Sequence, residues 1–181
     1  MDDKRSRFEV QVLPHLDAAY RFARWLARSS IDADDIVQDA VLRAYRGFDM
    51  LRGADVKAWL LTIVRNCHAT ARKQQRRLAT EQLPEEHDPA FGHALVAATP
   101  TPENAAIERD EARTLQRLMA DLPDDYREVL LLREIEDMRY QEIAAVMNVP
   151  IGTVMSRLAR ARSALRKNWL RQNEGEPHAV P

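Results

Sequence analysis

Apolar side chains recur along this chain every three to four positions, the signature of helices with one buried face. Phe8, Val12, Leu16, Ala19, Tyr20, Ala23, Leu26 and Ala27 form the first such stripe. They predict a helix from about Phe8 to Arg28, restricted or kinked by Pro14. Ser29, Ser30 and Ile31 break the pattern, and Asp32 is the expected N-cap of a second helix, with Asp34 and Asp35 in its first turn. Ile36, Val37, Ala40, Val41, Ala44 and Tyr45 supply its buried stripe. Asp35, Gln38, Asp39 and Arg43 fall off that stripe. Gly47 and Gly53 bracket a loop that holds Phe48, Met50 and Leu51. A third helix is predicted from near Asp55 to about Arg77, with Val56, Trp59, Leu60, Ile63, Val64 and Cys67 on its apolar side. Three helices striped in this way can bury one compact core.

The periodicity then stops. Pro84, Glu85, Glu86, Asp88, Pro89, Gly92, Pro100 and Thr101 lie among small residues without a steady repeat. This segment reads as a linker, mostly disordered when alone. Thr101-Pro102-Glu103 restarts a helix that should run to about Asp121. Leu122-Pro123-Asp124 is a second stop and restart, and the helix carrying Tyr126, Val129, Leu130, Leu132 and Arg133 should end near Glu136. The stretch YQEIAAVMNVPIGTVMSRLARAR at 140–162 is the most specific in the chain. Ile143, Ala144 and Met147 repeat at helical spacing before the turn, and Val154, Leu158 and Ala161 do so after it. Asn148 tolerates a left-handed backbone at the turn, and Pro150 follows it as a helix breaker. Thr153, Ser156, Arg157 and Arg160 are then free to face outward. This is the layout of a helix-turn-helix, whose second helix lies in the DNA major groove. The alternative is a helical hairpin with a solvated basic face. The last helix should fade after Arg171, and 173–181 should be a frayed, disordered tail. The expected fold is all-α: a helical domain over 1–78, a flexible acidic linker over 79–101, and a four-helix helix-turn-helix domain over 102–172.

Charge sharpens this division. The 181 residues hold 27 Lys and Arg against 28 Asp and Glu, a net charge of −1 that by itself argues against a nucleic-acid binder. The distribution reverses that impression. Residues 1–77 are net +5, residues 78–111 net −7, and residues 112–181 net +1. Two cationic modules suited to phosphate backbones flank an anionic strap. The third predicted helix ends in Arg65, Arg72, Lys73, Arg76 and Arg77, with no acid from Val56 to Thr80. Cys67 is the single cysteine, which excludes an internal disulfide and a cysteine-rich zinc site. No apolar run approaches membrane-spanning length and the N-terminus is not a signal peptide, so a soluble cytoplasmic protein is expected. There is no phosphate-cradling glycine loop and no nucleophile elbow, and no cofactor or metal is expected.

Three segments together resemble bacterial sigma factors of the extracytoplasmic-function type, the smallest members of the sigma-seventy superfamily. DADDIVQDAVLRAYR at 32–46 is similar to the family's main polymerase-docking helix. VKAWLLTIVRNCHATARKQQRR at 56–77 is similar to its minus-ten reading helix. LPDDYREVLLLREIEDMRYQEIAAVMNVPIGTVMSRLARAR at 122–162 is similar to its minus-thirty-five reading domain. The three stand in the family's order and spacing.

The resemblance implies a protein that is not an enzyme but binds core RNA polymerase and lends it promoter specificity. It implies polymerase contacts at Asp35, Gln38, Asp39 and Arg43. At the minus-ten element it implies a loop, Asp49 to Asp55, that closes over a flipped base, with Asn66 at a base edge. Arg65, Arg72, Lys73, Arg76 and Arg77 would handle phosphates. Leu51 and Leu61 stand where the family often has aromatic residues, so base stacking should be weaker. At the minus-thirty-five element, Ser156 and Arg160 would face bases or adjoining phosphates, Thr153, Arg157 and Arg162 the backbone, and Arg133 and Tyr140 phosphates from the preceding helices. Met155 replaces a frequent Lys or Arg and could touch a thymine methyl, and Arg139 replaces a small hydroxyl cap. The resemblance also implies promoter DNA and an anti-sigma factor as partners. The acidic strap either mimics RNA in a polymerase channel or is a solubilising tether.

Two other classes compete. A free-standing helix-turn-helix repressor has no use for the segment at 32–46 or the basic helix at 56–77, and it usually dimerises on a palindrome. A protein-only helical adaptor has no use for the acid-free arginine runs at 56–80 and 151–172.

Overall fold

The computed structural model describes residues 2–27, 29–51, 53, 55–79 and 112–173. The expected linker beyond residue 79, the expected helix start at 102–111 and the tail beyond residue 173 lie outside the described residues. Within them the chain is helical throughout, in two modules.

Pro14 does more than kink the first predicted helix. It lacks a donor and sits in a 3-10 turn, Leu13–His15, that separates α1 (Asp2–Val12) from α2 (Leu16–Leu26). The first helix also starts earlier than expected, at Asp2 and not near Phe8. The next, α3 (Ser30–Gly47), is capped by Ser29 and not by Asp32: the Ser29 hydroxyl accepts the Asp32 N–H at 3.1 Å. A 3-10 turn, Phe48–Met50, ends it. The Asp55 carboxylate accepts the Ala58 N–H at 2.8 Å and starts α4 (Val56–Ala79).

α3 packs on α2 and α4. Fully buried Ala19, Ala23, Ala33, Ala40 and Ala44 let the helices approach closely, and Phe22, Leu60, Leu61 and Val64 fill the centre. Phe8 closes one end, edge-on to Tyr45 and Phe48 at 5.2 and 5.3 Å.

The second module comprises α5 over 112–120, α6 (Asp124–Leu130), α7 (Tyr140–Met147) and α8 (Ile151–Asn173). Val129, Leu131, Leu132, Ile143, Val146, Val154, Leu158 and Ala161 form its core. α6 runs on as one π-helical turn, Leu131–Ile135, in which the Glu136 N–H reaches the Leu131 carbonyl at 3.0 Å. Such turns insert an extra residue into the ladder and re-aim the side chains beyond it. Asp137 then takes a left-handed backbone, φ 49°. Together they turn Glu136 inward.

The modules touch. α4 packs against α7, and α2 meets the π turn. Glu136, with its side chain 1% exposed, is the centre of that junction.

Candidate nucleic-acid interface

The helix-turn-helix forms as its sequence dictates. Asn148 is left-handed at φ 51° and ψ 52°, which lets the Val149 N–H turn back to the Ala144 carbonyl at 3.0 Å. The Pro150 carbonyl accepts the Thr153 and Val154 N–H groups at 2.9 and 3.2 Å and so begins α8. Arg139 precedes α7 without a side-chain acceptor of its own. Glu142 compensates: its carboxylate accepts the Arg139 backbone N–H and the guanidinium Nε, each at 2.7 Å. Glu142 thus supplies its half of a capping box, while no side chain at position 139 accepts an N–H of the first turn.

α8 is sharply two-faced. Val154, Leu158 and Ala161 are at most 2% exposed. Gly152, Met155, Ser156, Ala159, Arg160 and Ser163 lie on the exposed side. Arg160 has no acidic partner among the described residues. The Ser156 hydroxyl donates to the Thr153 carbonyl at 3.0 Å.

Two residues expected to face freely outward do not. Thr153 is half-buried, and the Arg157 guanidinium bends back to Asp125 at 2.7 Å, because an acid at the start of α6 lies within its reach. Arg162 pairs with Glu134 at 2.7 Å. Arg133 donates to the Met138 carbonyl at 2.9 Å and lies over the Tyr140 ring at 5.6 Å.

On the first module, Asn66, Lys73, Arg76 and Arg77 lie exposed along α4. Leu61 does not belong to that surface. It is fully buried, since its register on α4 faces the core with Leu60 and Val64. Leu51 is half-buried against the same core, as is Trp59. The loop from Asp49 to Asp55 is only partly described, because Arg52 and Ala54 lie outside the described residues. On α3, Asp35, Gln38 and Arg43 are exposed, while Asp39 is half-buried. Arg43 bonds Asp39 at 2.8 Å and holds its carboxyl below the ordinary range. Burial pushes the Cys67 thiol up to about 11, and its bond to Asp39 adds to the rise.

The structure also joins residues that sequence reasoning left apart. Arg65 Nε donates to Glu128 at 2.6 Å, and Arg72 pairs with Asp124. Arg21 donates to both Glu136 oxygens at 3.1 Å. Lys57 lies 3.0 Å from the same carboxylate and donates to the Glu136 carbonyl at 2.7 Å. Two cations of the expected minus-ten surface are therefore held by acids of the other module. Burial raises the Glu128 carboxyl above its usual range despite the Arg65 bond. Burial, with Arg72 and Arg127 nearby, drives His68 down to about 4. His68 is buried and bonded to the Leu26 backbone, so it is not available to phosphate. The signal for this junction was faint but present: Asp124 and Glu128 stand four apart on one face of α6.

Among the described residues no cluster could hold a metal ion, and no helix is long and apolar enough to cross a membrane.

Residues 12–78 match the family model for sigma-70 region 2, and residues 112–165 match that for sigma-70 region 4. The sigma-E factor of Escherichia coli K12, described as an ECF RNA polymerase sigma factor, is 36% identical over 141 residues, covering 74% of this chain and 72% of that one. The chain belongs to the ECF branch of the sigma-70 family. The RNA polymerase sigma-H factor of Pseudomonas aeruginosa is 33% identical, covering 91% of this sigma factor and 86% of its own length. SigE of Mycolicibacterium smegmatis is 31% identical over 91% of this chain, which spans 62% of that longer relative. Among solved structures, RpoE of Bartonella quintana, crystallised in complex with the anti-sigma factor NepR, superposes with a TM-score of 0.72 at 27% identity, over 93% of this chain and 98% of that one. The shared fold thus includes both modules.

Proposed function

We propose that this sigma factor binds core RNA polymerase and directs promoter-specific transcription initiation. α3 docks on the polymerase through Asp35, Gln38, Asp39 and Arg43. α4 reads the minus-ten element as opened DNA, with Asn66 at a base edge and Arg65, Arg72, Lys73, Arg76 and Arg77 on phosphates. α8 reads the minus-thirty-five element as duplex. The observation that supports this best is the split surface of α8. One face is apolar and sealed in the core, and the other turns Met155, Ser156 and Arg160 outward.

The functional domains in this reading are 1–78 and 102–172, and the protein works in the cytoplasm. The arrangement described above is then a closed one. Glu128 and Asp124 occupy Arg65 and Arg72, so minus-ten reading requires the modules to part. An anti-sigma factor, such as the one bound to the Bartonella quintana relative, is the partner suited to prevent that parting.

Footprinting of the chain with core polymerase on promoter DNA tests the assignment. Protection should include an upstream and a downstream stretch. Arg160→Ala should weaken protection of the upstream stretch alone, and combined Lys73→Ala, Arg76→Ala and Arg77→Ala that of the downstream stretch alone. Equal loss of both from either variant contradicts the reading.

A further inference from the structure

The outward face of α8 opens on residues that carry no charge. Ile151 is 42% exposed and Met155 is 54% exposed, and Gly152 and Ala159 lie exposed beside them. Met155 has no place in the core, because its neighbour Val154 holds the inward position at 0% exposure. Around Gly152 the surface is open: a Cβ built there would meet no heavy atom within 4 Å. A nucleic-acid surface can therefore approach the backbone closely next to Met155. The nearest cations are drawn to the sides, Arg157 onto Asp125 and Arg162 onto Glu134. Arg160 comes five residues after Met155, about one and a half turns on.

Accepting α8 as the duplex reader, we infer that Met155 reads the C5-methyl group of a thymine in the major groove, beside the step contacted by Arg160. Base edges in that groove present a distinct pattern for each pair. Guanine needs two donors, adenine a donor with an acceptor, and cytosine an acceptor. A thioether offers no donor and only a weak acceptor. What it offers is polarizable apolar surface, and the thymine methyl is the one apolar group any base edge displays there. The first turns of a recognition helix are the part that reaches base edges, and Met155 lies in them. Ile151 and Ala159 keep that patch dry, and Gly152 lets it seat.

Deoxyuridine is thymidine without the methyl, so it isolates the contact. The full chain is assembled with core polymerase, and its upstream element is selected from a randomised duplex library. Each selected thymine is then replaced singly by uracil and binding is measured. One position should lose about four-fold in affinity, the value of one buried methyl group. Met155→Ala should bind the thymine and uracil duplexes equally at that position. Met155→Arg should select guanine there and retain the rest of the site, which shows that the exposed substitution leaves the fold intact. Uracil sensitivity nowhere in the site, or sensitivity that Met155→Ala leaves unchanged, overturns the inference while leaving α8 as the duplex reader. A selection that enriches no upstream sequence overturns both.

Discussion

Replacing Glu136 by alanine should loosen the two modules from one another without unfolding either. The carboxylate is 1% exposed and accepts two bonds from Arg21 at 3.1 Å and a third contact from Lys57 at 3.0 Å. Truncating one partner of a fully buried pair costs about 3–5 kcal/mol, because the other charge is stranded. Here the stranded charges are not buried. Arg21 and Lys57 are 36% and 28% exposed, and Lys57 keeps its bond to the Glu136 carbonyl. Water takes back most of the lost interaction, so the loss falls to about 2 kcal/mol. That is about a thirty-fold shift of the closed-to-open ratio. Energy transfer between dyes on Val10→Cys and Lys167→Cys reads this directly, since both positions are exposed. Cys67 should stay unlabelled, being buried with its thiol pushed up to about 11. Glu134→Ala, which removes an exposed pair within the second module, is the control and should change nothing. If Glu136→Ala leaves transfer efficiency at the wild-type value, with helical content intact, the ionic account of closure is wrong.

Acid should destabilise the folded chain through His68. Its folded pKa of about 4 lies below the ordinary 6.5, so its contribution is complete above pH 6.5 and is lost as pH falls toward 4, about 3 kcal/mol in all. Glu128 runs the other way, its raised carboxyl easing the burial cost as it protonates. Urea midpoints across pH 7 to 4 should therefore fall more steeply in the wild type than in His68→Gln, and parallel curves reject the assignment. Arg160→Ala should cost about 1–3 kcal/mol at the upstream element, measured by duplex titration of the polymerase-bound chain. Arg157→Ala should weaken binding less, since that guanidinium already has Asp125; an equal loss would show that Arg157 lets go of the acid on binding. Asp39→Arg should abolish co-elution with core polymerase while circular dichroism stays unchanged, because Asp39 is half-buried at the module surface and not in its core. Normal co-elution would remove α3 from the docking role.

Much of the fold could be read from local rules. The second module is the clearest case. Asn148 turns left-handed where only a few residue types do so readily, and Val154, Leu158 and Ala161 seal against the core at the expected spacing. Helix ends were harder. Ser29 caps α3 where Asp32 was the expected cap and Ser29 part of a break, since capping depends on which side chain can reach an N–H three residues on. Pro14 separates two helices because it has no N–H to give to the helical ladder and sits in a 3-10 turn. The π turn had no signal in periodicity, because the following Glu136 and left-handed Asp137 look like an ordinary helix end.

The candidate site divides along the same line. Exposure of Ser156, Met155 and Arg160 follows from the period of α8. The capture of Arg65, Arg72 and Arg157 by acids does not, because those partners lie on elements distant in sequence. Leu61 was misplaced for a related reason. A resemblance located it on a reading helix, but its register beside Leu60 and Val64 assigns it to packing.

Transcription from genomic DNA by purified core RNA polymerase, with and without this chain, probes the central claim most directly. Added chain should produce RNA 5′ ends at a small set of defined positions, each preceded by two shared sequence blocks at fixed separation. Ends scattered as they are with core enzyme alone, or no stable assembly of chain and polymerase, would contradict the account.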